Sequence, residues 1–125
     1  MPQRLFERIL DRLAPRLSAV GATRRQFSPA EFDQLIGHLL SLEGLRLNSR
    51  VESKVVLVAS GAVIGSLGRR TPRLRYQLQR REDGRINLEV FEHVLCTRKQ
   101  AGVFRELCTE RTIELLTLID SFPGP

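Results

Sequence analysis

RLRYQLQRREDGRINLEVFEHV, residues 73–94, alternates apolar and polar side chains on both sides of an Asp-Gly pair, the pattern of a β-hairpin with one buried face. Leu74, Tyr76 and Leu78 alternate with Arg73, Arg75, Gln77 and Gln79 before the turn. Ile86, Leu88 and Val90 alternate with Arg85, Asn87 and Glu89 after it. A two-residue Asp83-Gly84 turn would set Leu78 against Glu89 and split the apolar residues between two faces. A three-residue loop, Glu82-Asp83-Gly84, sets Leu78 against Leu88 and Tyr76 against Val90. A one-residue slip exchanges the faces, so the three-residue loop with Gly84 left-handed is the expected register.

Upstream, Val55 to Ala59 and Ala62 to Ile64 are rich in β-branched residues, which favours strands. Ser60-Gly61 reads as a tight hairpin turn between them. Both sides of these strands are apolar, as in strands covered on both faces. One layer of helices covers a single face, so a homodimer is expected to bury the other.

Three helices flank the strands. Residues 3–14 place Leu5, Phe6, Ile9, Leu10 and Leu13, then Leu17, at helical spacing, with Arg4, Arg8, Arg12 and Arg16 opposite. Pro15 kinks or ends this helix, and Gly21 to Gln26 reads as a polar loop. Ser28-Pro29-Ala30-Glu31 is a capping box with Pro at the first helical position. Phe32, Leu35, Ile36, Leu39 and Leu40 follow as an apolar stripe, and Gly44 is a stop signal. A second capping box, Thr97 to Gln100, opens a C-terminal helix striped by Phe104, Leu107, Cys108, Leu115, Leu118, Ile119 and Phe122. Thr109 and Thr112 weaken its middle and allow a break. The expected architecture is a single α+β domain over residues 1–125. Two N-terminal helices precede an antiparallel four-stranded meander sheet, and one C-terminal helix follows it.

The chain has 125 residues, 20 Lys and Arg against 14 acids, and a net charge of +6; all the basic residues but Lys54 and Lys99 are Arg. Between Arg69 and Arg85, seven arginines and two acids give 17 residues a net charge of +5. The hairpin register places Arg73, Arg75, Arg81 and Arg85 on one face with Gln77, Gln79 and Asn87; Arg69 and Arg70 precede it. Arginine forks grip phosphate or carboxylate oxygens bidentately. The expected function is therefore non-enzymatic binding of a DNA or RNA backbone. Docking on an acidic protein partner, as an adaptor, chaperone or regulatory subunit, is the alternative. A merely solvated or edge-guarding charged face is the plain structural reading of the same residues. Exposed aromatics for base stacking are lacking apart from Phe91.

Other chemistry finds little support. Cys96 lies beside Arg98 and Lys99, which can activate a thiol, but His93 points to the opposite face of an extended strand. Cys96 and Cys108 are too far apart along a helix for a direct bridge. His38 has no second ligand at metal spacing, so no metal is expected. Gly61, Gly65 and Gly68 have the wrong spacing for a dinucleotide loop and precede Arg69-Arg70-Thr71-Pro72 instead of a helix. No cofactor is expected. The absence of a signal-like apolar run and of a 20-residue apolar span points to a cytoplasmic protein with no membrane partner.

Overall fold

The computed structural model describes residues 16–42, 44–59, 74–93 and 97–122. Its elements run β1 (Arg16–Ala22), α1 (Pro29–Ser41), β2 (Leu45–Val51), β3 (Lys54–Ala59), β4 (Arg75–Arg80), β5 (Ile86–His93) and α2 (Arg98–Asp120). The class is α+β, with a five-stranded antiparallel sheet ordered β1-β5-β4-β3-β2.

The β4–β5 hairpin has the register that its pattern requires. Tyr76 pairs with Val90 and Leu78 with Leu88. Arg81 N donates to Arg85 O at 2.7 Å, and Gly84 N donates to Arg81 O at 3.0 Å, closing a three-residue loop. Gly84 has φ +91°, which an L side chain rarely adopts. A Cβ there would lie 3.1 Å from Phe27 O. The hairpin tip is thus pressed against the β1–α1 connection, where Phe27 N donates to Gly84 O at 2.7 Å.

Two corrections to the expected sheet concern its edges. The partner of β3 across a tight turn is β2, upstream of it, joined through Glu52 (φ +52°) and Ser53. Residues 60–73, including the expected strand at Ala62–Ile64 and the Ser60-Gly61 turn, lie outside the described residues. Strand β2 is exposed at every position but Leu45 and has a register shift between Leu47 and Ser49. A strand with one neighbour and little burial has no reason to alternate, so its sequence looks like a loop.

The other edge is β1. Its last residues, Gly21 and Ala22, fall where a loop was expected, and Leu17 is a buried strand residue rather than the end of a helical stripe. Small residues suit this position because α2 runs directly beneath. A Cβ on Gly21 would meet Leu116 Cδ1 at 2.5 Å. The expected helix over residues 3–14 lies outside the described residues.

The two described helices cover one face of the sheet. Helix α1 starts on the expected capping box: Glu31 N donates to Ser28 Oγ at 3.1 Å, and Ser28 N donates to Glu31 Oε1 at 3.0 Å. A cap of this kind contributes about 1 kcal/mol. Phe32, Leu35, Ile36 and Leu39 are buried; Leu40, at the margin of the stripe, is 37% exposed. Gly44, two residues beyond the C-cap Leu42, takes φ +88° and turns the chain into β2.

Helix α2 is continuous from Arg98 to Asp120, so the break allowed at Thr109 and Thr112 does not occur. Thr112 Oγ1 donates to Cys108 O at 2.8 Å and Thr109 Oγ1 to Arg105 O at 3.0 Å, which satisfies both hydroxyls within the helix. Ala101, Phe104, Cys108, Thr112 and Ile119 are buried against Leu17, Leu88 and their neighbours. Asp120 accepts from Arg24 N and Arg25 N at 3.0 and 3.1 Å. The Arg25 guanidinium bonds Phe122 O and Glu31, tying the end of α2 to the start of α1. Among the described residues, no helix is long and apolar enough to cross a membrane.

Candidate functional site

Strand alternation gives the sheet a second face, turned away from α1 and α2. The pairs Arg75–Phe91, Gln77–Glu89 and Gln79–Asn87 run along β4 and β5, and β1 adds Ser18, Val20 and Ala22 beside Phe91, Glu89 and Asn87. On the other flank, β3 presents Lys54, Val56 and Val58 beside Gln79, Gln77 and Arg75. Gln77, Gln79, Asn87 and Glu89 floor a shallow groove of about 580 Å³, walled by Val20, Gly21, Ala22 and Leu88. Its walls and floor supply amide donors and acceptors around one carboxylate.

Six of the nine residues singled out by the sequence are described. Arg75, Gln77, Gln79 and Asn87 share this face, and Arg81 and Arg85 flank the loop at its tip. Arg69, Arg70 and Arg73 lie outside the described residues. From Arg75 to Arg81, at about 3.3 Å per residue, the cationic row extends for about 20 Å.

The charges differ in how they are held. Arg81 forms an ion pair with Asp83 at 3.1 Å, and Asp83 Oδ1 also accepts from Arg85 N at 2.9 Å. Asp83 thus shapes the loop and offsets one cation within it. Arg75 Nε lies 3.5 Å from Glu92. Arg85 is exposed and forms no ion pair with the described residues. The Arg81–Asp83 pair, 45% and 39% exposed, contributes little to stability, so exchanging that acid for an outside anion costs little.

One residue of this face, Arg16, could not be placed on it from the sequence, because its position depends on β1. Arg16 reaches from β1 across β5, pairs with Glu89 and stacks on Phe91, 3.9 Å from the ring centroid. Phe91 is only 8% exposed beneath it and is not a stacking platform. Glu89 sits in the middle of the face, so the surface is a cationic rim around a mostly neutral floor instead of a uniform positive field. The hairpin alternation alone places Glu89 there, whereas only the β1–β5 pairing reveals Arg16.

Arg80, one residue before the loop, belongs to the opposite row and is spent on structure. Its Nε donates to Phe27 O at 2.6 Å. Tyr76 is buried in the core, and burial raises its pKa above the ordinary tyrosine value. Cys108 is buried too, and desolvation pushes its thiol up to about 11, which keeps it protonated and unreactive at neutral pH. Cys96 and the His93 side chain lie outside the described residues, as do Gly61, Gly65 and Gly68. His38 is exposed on α1 with its ring 5.2 Å from that of Phe122. Among the described residues, no group of three or more His, Cys, Asp or Glu could hold a metal ion.

In comparisons with known proteins, no family model, no curated protein and no solved structure matches the chain.

Proposed function

We propose that this chain is a non-enzymatic binding module that takes a nucleic-acid backbone, DNA or RNA, on the β4–β5–β1 face. The observation that carries this reading is the hairpin register. It aligns Arg75, Arg81 and Arg85 with the Gln77–Gln79–Asn87 amides on the side of the sheet away from the helices. Phosphate contacts by such arginines supply affinity without sequence reading, while the amides offer hydrogen bonds to phosphate, sugar or base edges. A row of about 20 Å spans about six steps of a strand in B-form DNA at 3.4 Å each. With Phe91 covered by Arg16, base stacking plays no part.

Self-association is assigned to the far edge of the same face, at β2 and β3, where Val51 is 70% exposed beside Lys54, and Val56 and Val58 are half-buried. A homodimer formed there leaves β5 and β1 accessible.

The test is a polarisation titration with labelled duplex and single-stranded DNA and RNA at several salt concentrations. Three phosphate contacts give a slope of log K against log salt of about −2.7 on B-DNA, and removing two lowers it to about −0.9. Arg81→Glu with Arg85→Glu is expected to produce that change. Binding that ignores salt, or is missing at low salt, overturns the proposal. Capture of an acidic protein that depends on the same two arginines, without nucleic-acid binding, favours the adaptor reading instead.

A further inference from the structure

On the helix-covered side of the sheet, away from the β4–β5–β1 face, a cleft of about 230 Å³ opens between the C-terminal end of α1, the second half of α2 and strands β2 to β4. Leu42, Leu45, Ala59, Leu115 and Leu118 give it apolar walls. Polar groups join them on one side. Arg111 and Glu114, ion-paired at 2.9 Å, both line the cleft, and so does Tyr76. Burial raises the Tyr76 pKa, so the phenol stays protonated as a donor, and the charges of Arg111 and Glu114 both act on it. The ion pair is uneven: the Arg111 side chain is 24% exposed and that of Glu114 62%. The better buried charge is the cation, whereas the acid can turn into water at little cost.

We propose that this cleft binds a small apolar monocarboxylate, with its chain or ring against the leucines and its carboxylate on the Arg111 guanidinium and the Tyr76 hydroxyl, displacing Glu114 into solvent. The volume suits a ligand of this class. An apolar cavity of about 150 Å³ takes up benzene, so about 230 Å³ accommodates a ring with a short side chain or an alkyl chain of similar bulk. Such a body restores the burial and dispersion contacts that apolar walls forfeit to water. The sign of the charge follows from the uneven pair. A carboxylate gains a charge-assisted, bidentate contact with a partly desolvated guanidinium. An amine would meet that cation before it reached Glu114. An inorganic phosphate would bring a second negative charge towards Glu114 and no apolar body for the leucines.

Octanoate, octan-1-ol and octylamine share one chain and differ in the head group, so comparing them isolates the charge. Tyr76 is the only Tyr in a chain with no Trp, so its fluorescence follows occupancy of the cleft. In the full chain at neutral pH, octanoate is expected to give a saturable change with a Kd of about 1 mM, the range for so small a ligand. It should bind several-fold tighter than the alcohol or the amine. Arg111→Met is expected to bring octanoate down to the affinity of octanol. Glu114→Gln removes the competing acid and is expected to tighten octanoate several-fold while leaving octanol unchanged, a gain that a damaged fold would not produce. Leu118→Phe, which narrows the cleft, should weaken octanoate and octanol alike. Equal affinity for the three ligands, a preference for the amine, or no saturation well above that concentration overturns the proposal. So does weaker octanoate binding in Glu114→Gln, or undiminished binding in Leu118→Phe.

Discussion

The two faces of the sheet are built from the same strands, one residue out of step, and they are governed by different physics. On the helix side, Val55, Leu57, Leu78, Leu88 and Val90 are all within 1% of complete burial, and their shapes are dictated by Phe27, Phe104 and Ile119 above them. On the other side, Gln77, Gln79, Asn87 and Glu89 line an open groove, with Arg16 as a cross-strand brace to Glu89. Packing constrains the first face because cores are close-packed. Nothing in the packing demands glutamine, asparagine or arginine on the second. The arginines concentrate at its tip and end, a composition that the proposed binding role would account for.

This contrast can be broken by substitution. Leu78→Ala and Leu88→Ala should each cost about 2–5 kcal/mol, whereas Gln79→Ala and Asn87→Ala should stay within about 0.5 kcal/mol. Urea unfolding with matched slopes checks both, and comparable losses on the two faces would mean that the second is also a packed interface. The hairpin tip joins the two faces, so its geometry comes next. Gly84→Val should cost about 1–3 kcal/mol, since it forces a side chain into a left-handed backbone and a Cβ to 3.1 Å from Phe27 O. A neutral result would remove the bulged three-residue loop and with it the alignment of the arginines.

A third variant concerns the clamp that holds the helix layer. Hydrogen bonds from the Ser28 amide, then from the Ser28 hydroxyl and Arg25, hold the Glu31 carboxyl below the ordinary glutamate value of 4.5. Because the folded value is the lower one, this contribution is complete above 4.5 and is lost as pH falls through the folded value. Glu31→Gln should lower stability at neutral pH and flatten its decline in acid, as read from urea midpoints along a pH series. An acid profile identical to that of the unmodified chain would contradict the capping box. The smallest effect is expected at Cys108. In a Cys96→Ser background it should resist a thiol reagent at neutral pH until denaturant is added, because burial keeps the thiol protonated.

How much of this could be read in the sequence depended on how many neighbours each element has. The β4–β5 hairpin has strands on both sides and one buried face, so Leu74 to Val90 record its register in strict alternation. Helices α1 and α2 announced themselves through Ser28–Glu31 and Thr97–Gln100, local hydrogen-bonding units that need no tertiary context. The edges were illegible for the converse reason. β2 buries almost nothing, and β1 turns Ala19 and Gly21 toward α2, small residues suited to its close approach rather than to β-propensity. The arginine and amide row was therefore foreseen, and Glu89 with it, whereas Arg16 and Lys54, which complete the face from neighbouring strands, were not.

The central claim, that the β4–β5–β1 face binds a nucleic-acid backbone, is most directly tested by following backbone amide resonances while a short DNA duplex is titrated at low salt. The account predicts shifts concentrated at Arg75, Gln77, Gln79, Arg81, Arg85 and Asn87, and restored by added salt. Shifts confined to α1 and α2, or none at all, would contradict it.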